Sequence, residues 1–219
     1  MYKRLMGPLL LALTPLTASA SGGHFLVDDA SIVPRGTCEL ELWATRSSPT
    51  TWGTLSPGCN FMGAEWSMPL VYNFQSDEFD SVSIERKAML YRPLRGPAIA
   101  FSLGAEYSLS RDGLDAVYAN VPVSFHLSES VVLHLNGGVE HNRVLEDTYL
   151  TYGAALNIRL AGPRLIAEVY NEEEGDPIVA AGLRYHIGST SWTLDLGVAH
   201  DTGPGDNHYT LGLNIPSLF

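Results

Sequence analysis

Apolar and polar side chains alternate with period two through most of this chain, in runs of about ten residues separated by turn formers. Positions 191–200 show the pattern most plainly. Trp192, Leu194, Leu196 and Val198 fall on one side of an extended backbone, and Thr193, Asp195, Gly197 and Ala199 fall on the other. Positions 149–160 repeat it, with Leu150, Tyr152, Ala154, Leu156 and Ile158 against Tyr149, Thr151, Gly153 and Asn157. So do positions 209–215, with Tyr209, Leu211, Leu213 and Ile215 against Thr210, Gly212 and Asn214. A helix would need its apolar residues three and four apart. The alternation therefore predicts an all-β chain.

Cutting the pattern at turn residues gives strands over 37–46, 51–59, 61–74, 81–94, 98–109, 115–127, 130–142, 148–160, 164–170, 177–187, 191–200 and 208–215. Most approach the roughly ten residues with which a tilted strand crosses the hydrocarbon of a membrane. Strands of soluble sandwiches usually run to about five or six. Pro69 lacks a backbone donor, so the third strand should bulge or break there. The turns at 95–97, 128–129, 161–163 and 188–190 read as tight, whereas those at 75–80, 110–114, 143–147, 171–176 and 201–207 read as longer and acidic. Sorting of that kind is expected of an outer-membrane barrel, with the long loops outside the cell. The expected fold is an antiparallel up-and-down transmembrane β-barrel of about twelve strands with both termini periplasmic. A soluble β-sandwich is the alternative.

Export signals agree with that location. Lys3 and Arg4 precede an apolar stretch over 5–16, and Ala18-Ser19-Ala20 supplies small residues for cleavage. The expected organisation is a signal peptide over 1–20, a lead segment on the periplasmic side over 21–36, and a barrel over 37–219. His24, Asp28 and Asp29 cluster in the lead segment, as polar residues of a flexible terminus commonly do. No later run of roughly eighteen apolar residues could form a membrane helix, and a barrel needs none. The terminal Phe219, after an apolar alternation, resembles the signal read by the barrel-assembly machinery, although Pro216 departs from it. With 24 Asp+Glu against 13 Lys+Arg, the chain is unsuited to nucleic acid. The bacterial outer membrane is the expected location, with its lipid and lipopolysaccharide as surroundings.

In a barrel the polar face of each strand lines the lumen. Reading that face gives the acids Glu39, Glu41, Glu65, Glu85, Glu106, Glu140, Glu168 and Asp195. The bases Lys87, Arg159, Arg164 and Arg184 stand against them, joined by His126, His134 and His186 and by Asn136 and Asn157. Such charges must pair or meet water. Either they form a hydrated pore whose acidic excess favours cations, or they lock into a closed, salt-bridged core of a structural barrel. Nine aromatics near strand ends, Trp43, Trp52, Trp66, Tyr72, Tyr91, Tyr107, Tyr170, Tyr185 and Tyr209, suit interfacial girdles.

Catalysis finds little support. Ser124 and His126 share one strand face, as do His134 and Asn136, and neither pair defines a site. The lipid-facing positions hold almost no Ser or His, which disfavours an enzyme acting on lipid. No HExxH, CxxC or glycine-rich phosphate loop is present, so no cofactor is expected. Asp77, Glu78, Asp80, Glu146, Asp147, Asp176 and the run Glu172-Glu173-Glu174 should crowd one rim. There they would bind calcium or magnesium weakly and bridge lipopolysaccharide phosphates, or simply form a solvated face. Cys38 opens the first strand and Cys59 closes the second, and a turn near Ser48-Pro49 sets them opposite each other in an oxidising compartment. A disulfide is expected, two buried thiols being the alternative.

Val27-Asp28-Asp29-Ala30, followed by Pro34-Arg35-Gly36-Thr37-Cys38-Glu39-Leu40-Glu41-Leu42-Trp43, resembles the start of a family of proteobacterial outer-membrane barrels. Their mature N-terminus reads roughly T-D-D-A, then P-G-x-C-x-L-E-x-W, and Cys59 fits as a second cysteine. Here Val27 replaces the Thr and Arg35 separates Pro from Gly. Members are described as transporters or as outer-membrane proteins without an assigned role. The resemblance implies the fold and the location, and names no substrate. The expected function is a channel or transporter for small solutes or cations, not an enzyme. The structural barrel remains the alternative.

Overall fold

The computed structural model describes residues 25–171 and 176–218. Thirteen strand segments form one continuous antiparallel sheet. They are β1 (Cys38–Ser47), β2 (Thr50–Phe61), β3 (Ala64–Ser67), β4 (Leu70–Asn73), β5 (Glu78–Tyr91), β6 (Ala98–Ser108) and β7 (Gly113–His126). Then come β8 (Val131–Asn142), β9 (Asp147–Arg159), β10 (Arg164–Asn171), β11 (Ile178–His186), β12 (Thr193–Asp201) and β13 (Asn207–Ile215). Apart from β3 and β4, each segment pairs with its sequence neighbours, and β1 pairs with both β2 and β13, which closes the sheet into a barrel. Closure leaves no strand edge unpaired, which is what lets a sheet cross a membrane.

The third stave is broken where Pro69 predicts. β3 and β4 both pair with β2 and β5, one above the other, so thirteen segments make a twelve-stranded barrel. The ladder is bridged around the break by Met68 N to Pro57 O at 3.0 Å and Ser83 N to Pro69 O at 2.8 Å. Cys38 and Cys59 face each other across the first hairpin and are joined in a disulfide.

The burial pattern is inverted relative to a soluble protein. Ile84, Leu103, Val117, Leu135, Val139, Val169, Leu196 and Leu211 are exposed on the outward face. Inward positions hold buried Ser83, Lys87, Ser124, Asn136, Asn157 and Asp195. An apolar exterior of this extent is stable only against lipid.

Two expectations fail. The connections are not sorted by length: both rims carry short turns, none longer than six residues. Charge sorts them instead. The rim holding the ends Cys38 and Ile215, the terminal rim, also carries Arg92, Arg95, Arg159 and Arg164. The far rim carries Asp77, Glu78, Asp112, Glu146, Asp147 and Asp206 against Arg111 and Arg143, and Glu129 is the acid of the terminal-rim turns, so the sorting is one of net charge. The longer "loops" of the sequence reading were polar strand ends: ladder pairing of Glu78 with Asn73 and of Asp147 with Asn142 extends β5 and β9 into them. Among the described residues, these carboxylates do not gather in groups of three that could hold a metal ion. Glu172, Glu173, Glu174 and Phe219 lie outside the described residues. Nor do all nine aromatics form girdles, since Trp43 and Tyr170 point inward and line the lumen.

Candidate functional site

Period-two geometry builds the lumen. On β5, Ser81, Ser83 and Lys87 are buried inside the barrel, while Ile84 and Arg86 between them are exposed outside. The same rule turns Glu39, Glu41, Glu65, Glu85 and Glu140 toward one cavity of about 260 Å³, into which Lys87 and Asp28 also project. Tyr118 Oη donates to Glu85 at 3.0 Å and Tyr149 Oη donates to Glu140 at 2.7 Å. The phenols hold these carboxylates in place without neutralising them.

The lead segment, expected outside the barrel, enters it and floors this cavity. A turn at 34–37, in which Thr37 N and Oγ1 both donate to Pro34 O at 3.1 and 2.7 Å, reverses the chain before β1. Residues 25–33 then cross the lumen as an extended strap. Phe25, Val27, Ala30 and Val33 are among the few buried apolar residues of the protein. Wall side chains take up the strap's backbone. Leu26 N donates to Glu168 at 2.9 Å, Ala30 N to Ser124 at 2.9 Å and Val33 N to Glu65 at 2.7 Å. Asn60 Nδ2 donates to Val33 O at 2.7 Å. Asn136 binds Asp28 twice, accepting from its N–H at 2.9 Å and donating to its carbonyl at 2.7 Å. A neighbouring strand would make the same pair of bonds. The walls supply what an isolated extended segment lacks, partners for its buried backbone groups.

Lys87 is the strap's charge partner, at 2.6 Å from Asp28 Oδ1 and 3.9 Å from Asp29 Oδ1. Burial pushes the Asp29 carboxyl up, but Lys87 and the Ser31 hydrogen bonds outweigh it and hold Asp29 below the ordinary carboxylate range. At the strap's start, the Phe25 ring lies 5.3 Å from the Arg184 guanidinium carbon. Two wall glycines make room for it. A Cβ at Gly153 would stand 2.8 Å from Val27 Cγ2, and one at Gly182 would stand 2.7 Å from the Phe25 ring.

The remaining candidate residues separate into groups. Glu106 accepts from Ser83 Oγ at 3.3 Å, toward the far rim. Arg184 binds Asp195 with two prongs at 2.7 and 2.6 Å, and Asn214 donates to the same carboxylate at 2.7 Å. Arg164 is register partner to both Arg159 and Arg184, so arginines line one wall near the terminal rim. His126 and His186 are exposed at that rim. His134 sits between Ser124 Oγ at 2.8 Å and Asn157 Nδ2 at 3.1 Å. That Ser–His–Asn row superficially matches a nucleophile and its base. Ala30 of the strap, fully buried, donates its N–H to Ser124. The row acts as a strap anchor.

The strap residues themselves were not among the candidate site residues. Their signal was present but faint: Val27-Asp28-Asp29-Ala30 carries buried valine and alanine where a solvated terminus would be polar throughout.

A family model described as "Uncharacterised conserved protein UCP029691" matches residues 9–216. The chain belongs to this family. No curated protein sequence matches it. Among solved structures, the KdgM porin in complex with disordered oligogalacturonate aligns with a TM-score of 0.68 at 11% identity, covering 81% of this chain and 98% of that one. The NanC porin aligns with a TM-score of 0.60 at 11% identity, covering 81% and 98%. Omp33 of Acinetobacter baumannii aligns with a TM-score of 0.50 at 9% identity, covering 82% and 97%. At these identities the likeness concerns the fold. This family member has the closed twelve-stranded barrel of outer-membrane porins.

Proposed function

We propose that this protein is a small-solute channel of the bacterial outer membrane whose acidic lumen favours cations. The observation that carries the reading is the cavity wall, where Glu39, Glu41, Glu65, Glu85 and Glu140 converge with Lys87 as the facing base. Carboxylates at close range in a narrow pore concentrate cations and repel anions. The oligogalacturonate of the KdgM complex is a polyanion, and this wall suits such a ligand poorly. We place the terminal rim in the periplasm, because an even number of strands brings both chain ends to one side and export delivers them there. The acidic far rim then faces lipopolysaccharide, and Phe219 serves the barrel-assembly machinery. A structural barrel without flux is the second reading, and the strap across the lumen is what favours it.

Planar-bilayer recording across a potassium chloride gradient separates the two. The channel reading expects cation-selective steps whose reversal potential moves toward zero in the Glu39→Gln/Glu41→Gln/Glu140→Gln variant. A silent bilayer, from folded protein with the strap intact and again with Lys87→Met, leaves only the structural barrel.

A further inference from the structure

We propose that residues 25–33 are an autoinhibitory strap, a peptide ligand carried in cis by a lumenal site built for it, and that its release from Lys87 opens the barrel. The inference rests on the channel reading for its consequence, but not for the strap itself. Three features mark the lumen as a recognition site rather than a space into which a loose terminus has fallen. First, the walls bind the strap's backbone at residues 26, 28, 30 and 33, through Glu168, Asn136, Ser124 and Glu65. Side chains that read backbone amides along an extended segment are the recurring means of peptide recognition. Secondly, the apolar positions have fitted seats: Val27 lies over Gly153, Phe25 over Gly182, and Val27, Ala30 and Val33 are almost wholly buried. Thirdly, the charges match one to the other. Lys87 is buried and meets two consecutive strap carboxylates, Asp28 at 2.6 Å and Asp29 at 3.9 Å, beside its ladder partner Glu65.

The strap lies across the path that a solute would take from the cavity to the terminal rim, because its anchors stand on opposite walls: β3 and β2 at Val33, β7 and β8 at Ala30 and Asp28, β10 at Leu26. It is continuous with β1 at one end, beside the Cys38–Cys59 bond, which fixes the hinge to the barrel wall. Along its length only side chains and hydrogen bonds hold it. Such a segment can leave without unpairing any strand of the barrel. Lys87 is the strap's ionic latch: with the strap gone, the buried ammonium loses Asp28 and Asp29, its ion-pair partners, and is left to wall carboxylates such as Glu65.

The test uses the full chain. Both native cysteines are consumed in the disulfide, so Leu26→Cys introduces a single reactive thiol in the strap. The labelling rate with a water-soluble maleimide is compared in that background with and without Lys87→Met, and with Asp28→Asn/Asp29→Asn as a second pair of changes on the strap side. Retained heat-resistant mobility on detergent gels shows that each variant is folded. We expect labelling to rise by about tenfold or more when the latch is removed from either side, a shift of about 1.4 kcal/mol in strap occupancy, and mean step conductance to rise with it. Unchanged labelling in both folded variants overturns the strap as a releasable ligand. Conductance that rises while the introduced thiol stays protected overturns it as the gate. Faster labelling over a silent bilayer keeps the releasable strap and sinks the channel reading instead.

Discussion

Replacing Gly153 with alanine should loosen the strap without touching its charges. A Cβ at this position lies 2.8 Å from Val27 Cγ2 and 2.9 Å from Tyr170 Cδ2, with the Val169 carbonyl oxygen next at 3.3 Å. Carbon atoms rest comfortably at about 3.5–4.0 Å, so one neighbour must move. Gly153 sits in β9 between β8 and β10, paired on both sides, and its backbone cannot retreat. The strap has no ladder and is the softer partner. Overpacking of this kind costs about 1–3 kcal/mol, which shifts the ratio of released to bound strap by about 5- to 150-fold. The rate at which a thiol at Leu26→Cys reacts with maleimide reads that ratio directly. Val27→Ala supplies the control. Alone it gives up burial of two methyl groups, about 1.6 kcal/mol, and should also speed labelling. Combined with Gly153→Ala it removes the nearer of the two clashing atoms and leaves Tyr170 Cδ2, so the two effects should fall short of adding by about 0.5 kcal/mol. Strict additivity, or labelling that ignores Gly153→Ala in folded protein, would show that Val27 does not occupy this seat.

Three further outcomes follow from the same contacts. Arg184→Leu should lower barrel stability by about 3–5 kcal/mol by leaving the fully buried Asp195 unpaired, and Arg184→Leu/Asp195→Leu should recover much of it, as read by the temperature at which gel mobility is lost. Cys38→Ser/Cys59→Ser, which frees a loop of sequence separation 21, should cost about 3 kcal/mol by the same measure; no loss would mean that the closing β1–β2 hairpin is already held by its ladder. The far rim is acidic and the terminal rim carries arginines, so current through an open barrel should rectify at low salt and straighten near 1 M, where the screening length falls to about 3 Å; Arg159→Gln/Arg164→Gln should weaken the rectification, and symmetric current at low salt would contradict the charge sorting as a functional field.

Much of the barrel was legible because alternation is a strictly local signal. Trp192 to Val198 read as one face and Thr193 to Ala199 as the other in the sequence, and β12 carries them so from Thr193 on, with Asp195 buried and Leu196 exposed. Pro69 announced the break between β3 and β4 because a missing N–H is a property of one residue. The Cys38–Cys59 bond followed from the turn near Ser48-Pro49, which sets the two cysteines opposite each other, together with an oxidising compartment. The rims were misread because a polar strand end and a polar loop have the same composition: Glu78 and Asp147 look like loop residues until a partner strand continues opposite them. The strap was invisible for a deeper reason. Its stability comes from long-range pairings, Leu26 with Glu168 across 142 positions and Asp28 with Asn136 across 108, and nothing within the segment itself demands an extended shape. What the sequence does hold is the complement. Asn136 and Glu168 were placed in the lumen by parity, where polar groups must pair or meet water. A closed ring of polar side chains with too few bases to satisfy its acids must be met by water or by something else with N–H groups to give. An extended backbone is rich in such groups, and residues 25–33 form a stretch that the sheet does not use.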